Sequence, residues 1–161
     1  MDVTAKIVES DVLSKELNDI RESGKQVVFT NGCFDILHVG HIRYLSAARG
    51  EGDLLVVGLN SDASVREIKG DKRPIVSQDQ RAEVLAALWC VDYVTLFNEP
   101  DPLNLIRMLK PDILVKGEDW PEENIIGADV VKAHGGRVVR MKFVPGASTS
   151  DIIQRILKLN R

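Results

Sequence analysis

Two of the chain's three histidines fall in one short stretch, Thr30-Asn31-Gly32-Cys33-Phe34-Asp35-Ile36-Leu37-His38-Val39-Gly40-His41. His38 and His41 stand three positions apart around Gly40, a spacing that puts two side chains on one face of a helix. A helix starting near Val39 sets both rings at its N-terminus, where free N–H groups and the helix dipole attract anions. An imidazolium there donates hydrogen bonds to oxygens that gain charge as a phosphoryl centre becomes five-coordinate. Gly40 leaves room for a phosphate or a nucleobase against the backbone between the rings. Gly32 permits a tight strand-to-helix turn, and Asp35 fixes the loop through backbone hydrogen bonds. Two other readings stand beside this one. The pair is either two polar residues at a helix start or, with Cys33, part of a zinc site that lacks a fourth ligand and the usual spacing.

The elements that must hold this stretch are legible around it. Val27–Thr30, Leu54–Leu59, Tyr93–Phe97, Ile113–Lys116 and Arg137–Met141 are short, nearly continuous apolar runs, the pattern of parallel strands covered on both faces. Helical spacing fills the intervals. Leu13, Leu17 and Ile20 predict a leading helix closed by Gly24, and Ile42, Leu45 and Ala48 a second that stops at Gly50 and Gly52. Ser77 with Gln80 predicts a capping box ahead of Val84, Leu85 and Leu88. Asp101-Pro102 predicts an N-cap and first-turn proline before Leu103, Ile106 and Leu109. Val130, Val131 and Ala133 precede a stop at Gly135-Gly136, with His134 as a last-turn residue. Ser148 predicts the cap of a final helix with Ile152, Ile153 and Ile156 inward. Repeated βα units of this kind imply one α/β domain, a doubly wound, Rossmann-like, five-stranded parallel sheet. Residues 1–24 form its leading helix and 25–161 its core. Ligands bind such sheets beyond the carboxyl ends of the strands, at the switch point.

Composition narrows the chemistry. The 161 residues carry a formal net charge of −3, with 44% hydrophobic and 28% charged residues, a globular balance without the basic excess of a general nucleic-acid or anionic-membrane binder. Phosphate chemistry must therefore draw on local positive charge. Cys33 and Cys90 form no Cys-x-x-Cys pair and read as reduced thiols. Met1–Glu9 lacks an apolar signal core, and Leu54–Leu59 is too short to span a bilayer, so a cytoplasmic protein is expected. Neither a P-loop nor a Gly-x-Gly-x-x-Gly after the first strand occurs.

The stretch Thr30–His41 resembles the signature of the nucleotidyltransferase superfamily with an HxGH motif. Asn60-Ser61-Asp62, Lys69-Gly70-Asp71-Lys72-Arg73-Pro74, Arg81, Asp92, Lys116-Gly117-Glu118-Asp119-Trp120 and Gly146-Ala147-Ser148-Thr149-Ser150 agree with it. Within the superfamily the chain is most similar to the adenylyltransferases of bacterial ADP-heptose synthesis, in the stand-alone form. The resemblance implies transfer of AMP from ATP, with Mg²⁺, to D-glycero-β-D-manno-heptose 1-phosphate. It also implies a homodimer or other homo-oligomer, and no nucleic-acid or membrane partner. His38, His41, Lys69 and Arg73 are implied as catalytic, the two cations neutralising the phosphates from a loop that folds over the site. Asn31, Gly32, Cys33, Phe34, Asp35, Gly40, Gly117, Ser148 and Thr149 are implied as nucleotide-binding, the last two forming an anion site at a helix start. Lys72, Lys116, Asp119 and Trp120 are implied as substrate-binding, with a buried tryptophan in a turn as the structural alternative for Trp120. Asp62 and Asp92 are candidates to hold basic side chains in the site.

Related cytidylyltransferases carry a pattern resembling Arg-Thr-x-Gly-x-Ser-Thr-Thr where this chain has Phe143-Val144-Pro145-Gly146-Ala147-Ser148-Thr149-Ser150. The arginine belongs to the cytosine-binding end, so its absence suits ATP. A cytidylyltransferase acting on glycerol 3-phosphate or a similar alcohol phosphate is the competing enzyme. A non-catalytic nucleotide sensor is the competing class.

Overall fold

The computed structural model describes residues 2–160. The five apolar runs form five strands: β1 (Val27–Gly32), β2 (Leu54–Asn60), β3 (Tyr93–Phe97), β4 (Ile113–Gly117) and β5 (Arg137–Met141). They make one sheet in the order β3-β2-β1-β4-β5 with every pairing parallel. The chain places β2 and β3 on one side of β1 and crosses to the other between β3 and β4, which makes the β1/β4 edge the switch point.

Seven α-helices join and flank the strands among the described residues: α1 (Ser10–Glu22), α2 (Val39–Arg49), α3 (Asp62–Lys69), α4 (Gln78–Ala86), α5 (Leu103–Leu109), α6 (Ala128–Ala133) and α7 (Thr149–Leu159). Alternation along the strands separates two apolar layers. Val28, Leu55, Val57, Val94, Ile113 and Val115 face Leu45 of α2 and Leu85 of α4. Val27, Phe29, Val56 and Leu114 face Leu13 and Leu17 of α1, Ile106 of α5 and Val131 of α6. Strands hidden on both faces need no polar alternation, which explains why their sequences read as unbroken apolar runs.

Three local expectations are corrected. Ser77 is the N-cap of α4 but its side chain makes no capping bond. Gln78 turns away instead, accepting from the Asp62 N–H at 2.9 Å, so α4 is tied to α3 rather than boxed on itself. Asp101 accepts from Leu103 N–H at 2.9 Å, yet Pro102 rather than Asp101 is the N-cap of α5. Ile156 does not point inward: it is 50% exposed and no residue of α7 is buried. The apolar stripe of α7 suits a core face, but its first turn is held to the site loop and the remainder runs along the surface.

Candidate active site

The site grows from the end of β1. The chain leaves the strand through Phe34, a non-glycine residue at φ 44°, and enters α2 at Val39. Phe34 is 7% exposed and sets its ring edge-on to His41, centroids 5.3 Å apart. A Cβ on Gly32 would meet that ring at 2.9 Å. Gly32 and the left-handed Phe34 thus form one device that props His41 from below.

His38 is the N-cap of α2. Its Nδ1 accepts from the Gly40 N–H at 3.1 Å, and the His41 Nδ1 accepts from the His38 N–H at 3.4 Å. The rings stack with centroids 3.8 Å apart. A Cβ at Gly40 would come within 2.9 Å of the His38 ring and 3.2 Å of the Ala147 Cβ, so the missing side chain admits the ring and the α7 approach rather than leaving an open phosphate seat. Because both Nδ1 atoms accept backbone N–H groups, the proton of each neutral ring lies on Nε2. Burial lowers the His38 pKa, and burial together with neighbouring His38 pushes His41 down to about 4. This corrects the imidazolium of the sequence reading. With both pKa values lowered, the rings present two oriented Nε2–H donors at a helix N-terminus, an arrangement able to stabilise developing negative charge without a prior protonation.

Asp35 is the hinge of the cationic loop. Its buried carboxylate accepts from the Ile75 N–H and the Val76 N–H, each at 2.9 Å, and from Arg73 Nε at 2.6 Å. Burial pushes its pKa up, but the Val76 and Ile75 N–H groups and Arg73 outweigh that and hold it below the usual carboxylate range. Asp35 therefore positions Arg73 and the loop instead of facing a ligand. Among the described residues neither Lys69 nor Lys72 forms an ion pair, and both are exposed.

Arg81 is the largest fully buried side chain, and the sequence reading gave it no role. Its guanidinium donates to Val76 O at 2.9 Å, Cys33 O at 2.6 Å, Asn60 O at 2.9 Å and Asp62 Oδ1 at 2.9 Å. One planar fork thereby joins the β1 exit, the β2 exit and the end of the cationic loop. The signal was an arginine inside an apolar helical stripe beside Ala82 and Leu85. Cys33 contributes its carbonyl to that fork, and burial is the main cause raising its thiol pKa. Asp62 does hold a basic side chain here. Asp92 also holds one, but away from the site: it pairs with Arg49 at 2.9 Å and accepts from Leu55 N–H at 2.8 Å, at the opposite, N-terminal end of β2.

The α7 start closes the other side. Thr149 Oγ1 donates to Ile36 O at 3.0 Å and Ser148 Oγ accepts from the Asp151 N–H at 3.0 Å, so the N-termini of α2 and α7 meet over the same loop. At β4, Lys116 Nζ donates to Asn31 Oδ1. A Cβ on Gly117 would lie 2.2 Å from Phe143 Cζ and 2.9 Å from Asp119 Oδ1, so the space expected for a nucleotide there is taken by the Phe143 ring. Trp120 is 54% exposed, which removes the buried-turn alternative.

Parallel strands ending in a strand–HxGH–helix, a cationic loop hinged on Asp35 and two converging helix N-termini define a nucleotidyltransferase-type site. The chain belongs to the cytidylyltransferase-like family, whose description matches residues 29–155. It is 57% identical over 156 residues, 97% of its length, to the bifunctional protein HldE of Citrifermentans bemidjiense. It is 55% identical over 154 residues to the bifunctional protein HldE of Geobacter sulfurreducens. The chain spans about a third of the length of these curated relatives, 32% and 31%. Among solved structures, a lipopolysaccharide core biosynthesis protein from Thermoplasma volcanium superposes with TM-score 0.62 at 32% identity, covering 75% of this chain and 98% of its own. A pantoate-beta-alanine ligase from Francisella tularensis, at 19% identity and TM-score 0.59, shares the fold. No helix of the described residues is long and apolar enough to cross a membrane.

Proposed function

We propose that the chain is an adenylyltransferase that moves AMP from ATP to D-glycero-β-D-manno-heptose 1-phosphate, giving ADP-heptose and pyrophosphate for surface glycan synthesis in the cytoplasm. The observation that carries the reading is the stacked His38–His41 pair, two Nε2–H donors fixed by their own helix start. An oxygen of the acceptor phosphate attacks the α-phosphorus in line. The bond from that phosphorus to the bridging oxygen breaks, and pyrophosphate leaves with the electron pair. The imidazole donors stabilise the charge that builds on the α-phosphoryl oxygens, and Lys69 and Arg73 offset the leaving phosphates. The acceptor phosphate is already ionised, so no protein nucleophile or general base is needed.

Mg²⁺ belongs to the MgATP co-substrate in this reading, since Asp35 and Asp62 are already engaged by Arg73 and Arg81. Phe143 against Gly117 favours ATP over CTP: an apolar ring stands where the cytidylyltransferase pattern has its arginine donor. A homodimer or other homo-oligomer is the assembly that goes with this reading.

The test is pyrophosphate release with ATP or CTP and a panel of heptose 1-phosphate, glycerol 3-phosphate and ethanolamine phosphate. ATP with heptose 1-phosphate is expected to turn over fastest. Preference for CTP with an alcohol phosphate overturns the substrate assignment, and nucleotide binding without turnover of any acceptor makes the chain a sensor. His38→Ala and His41→Ala should each lower kcat by about 10²–10³-fold with folding retained. Undiminished turnover removes the pair from the mechanism.

A further inference from the structure

The mechanism above does not use Lys116. Lys116 ends β4 beside the end of β1: the register Val28↔Ile113, Phe29↔Leu114, continued two places, sets it next to Asn31. Its Nζ donates to the neutral Asn31 Oδ1, and among the described residues it forms no ion pair. On β5 its register partner is Arg140, exposed on the same face. An amide oxygen uses one of the ammonium's three donors, and Asp119 acts on the charge without forming an ion pair with it. A half-buried cation held this way, at the switch point where such sheets bind ligands, is costly unless an anion completes it.

We propose that Lys116, oriented by Asn31, is a phosphate-recognising residue, its free N–H donors taking an oxyanion of a phosphoryl group at the β1/β4 edge. That group comes from the nucleotide or from the acceptor, and the seat lies across β1 from the Lys69–Arg73 loop that follows β2 and α3. The proposal rests on the nucleotidyltransferase reading for its choice of ligand. Burial supports it by pulling the Lys116 pKa down to about 8, against the opposing pull of Asp119. An arriving oxyanion restores the charged form, so binding near pH 8 takes up a proton. The titratable and charged groups around it are Tyr44, whose hydroxyl donates to Val115 O and is raised to about 12 by burial, its register partner Arg140, and Asp119.

The experiment is calorimetry at pH 8 in buffers of different ionisation enthalpy, with α,β-methylene-ATP plus Mg²⁺ and with heptose 1-phosphate separately. It is paired with kinetics of Lys116→Met and Lys116→Arg. The expected result is uptake of up to half a proton on binding one of the two ligands, lost in Lys116→Met. The KM or Kd for that same ligand should rise tenfold or more, and Lys116→Arg should restore part of it. Which ligand responds identifies the phosphate. No proton uptake with either ligand in the wild-type protein, or changes under twofold in both variants, overturns the proposal. If wild-type protein turns over no acceptor, the functional reading fails while nucleotide calorimetry still decides the Lys116 seat.

Discussion

Asp35→Asn isolates the hinge with almost no change of shape. The carboxylate accepts two backbone N–H groups and Arg73 Nε, and is 4% exposed. An asparagine keeps one acceptor oxygen and turns an NH₂ group toward donors that need an acceptor. Charge-assisted hydrogen bonds contribute about 1.5–3 kcal/mol each, and stranding one partner of a buried pair costs about 3–5 kcal/mol. The Arg73 side chain retains 16% exposure, so water softens the loss and about 3 kcal/mol is the expected destabilisation. At about 2–4 °C per kcal/mol for a domain of this size, Tm should fall by roughly 6–12 °C. Loosening the loop also misplaces Arg73 and Lys69, so kcat/KM should fall about 10²-fold even below the new Tm. The acid limb adds a signature. The folded pKa of Asp35 lies below its ordinary value, so its contribution is present above about pH 4 and lost as pH falls through the lower folded value. Asp35→Asn should flatten that part of the stability curve. The assay pairs thermal melts across pH 3–7 with pyrophosphate-release kinetics. A melting temperature within about 2 °C of wild type together with unchanged kcat/KM would falsify the hinge role.

Arg81→Lys keeps the charge but loses the fork to Cys33, Val76, Asn60 and Asp62; urea unfolding should report a loss of about 3–5 kcal/mol, and a change below about 1 kcal/mol contradicts the clamp. His41, lowered to about 4, stabilises the fold fully above its unfolded pKa near 6.5 and progressively less as pH falls toward 4. Titration of its ring proton by NMR should show a midpoint near 4, and kcat/KM should not decline through the ordinary histidine range; a midpoint near 6.5 refutes the neutral-donor assignment. Gly117→Ala must displace Phe143, whose Cζ would lie 2.2 Å from the new Cβ, so the nucleotide KM should rise severalfold; an unchanged KM places the nucleotide away from that ring.

The strands, most helices and the neighbourhood of the site were legible because they are local. Runs such as Leu54–Leu59 have to be strands hidden on both faces, and His38-Val39-Gly40-His41 after a strand has to start a helix with two rings on it. Tertiary structure decided what those side chains do. Asp35 reads as a residue that fixes its loop through backbone hydrogen bonds, and it does, but only packing shows that the partners are Ile75 and Val76, with Arg73 beside them. Arg81 agrees with the family resemblance but carries no role in the sequence, and Asn60, Cys33 and Asp62 converge on it only through the parallel order of β1 and β2. Gly40 and Gly117 advertised open space that His38 and Phe143 fill. The histidines' protonation was also decided by the fold, because the backbone N–H groups that claim Nδ1 and the burial that lowers the pKa exist only once α2 is seated. Residue type and spacing determine which elements form and where the anion-seeking edge lies. Distances between segments remote in sequence determine which charges are already paired and which, like that of Lys116, still await a partner.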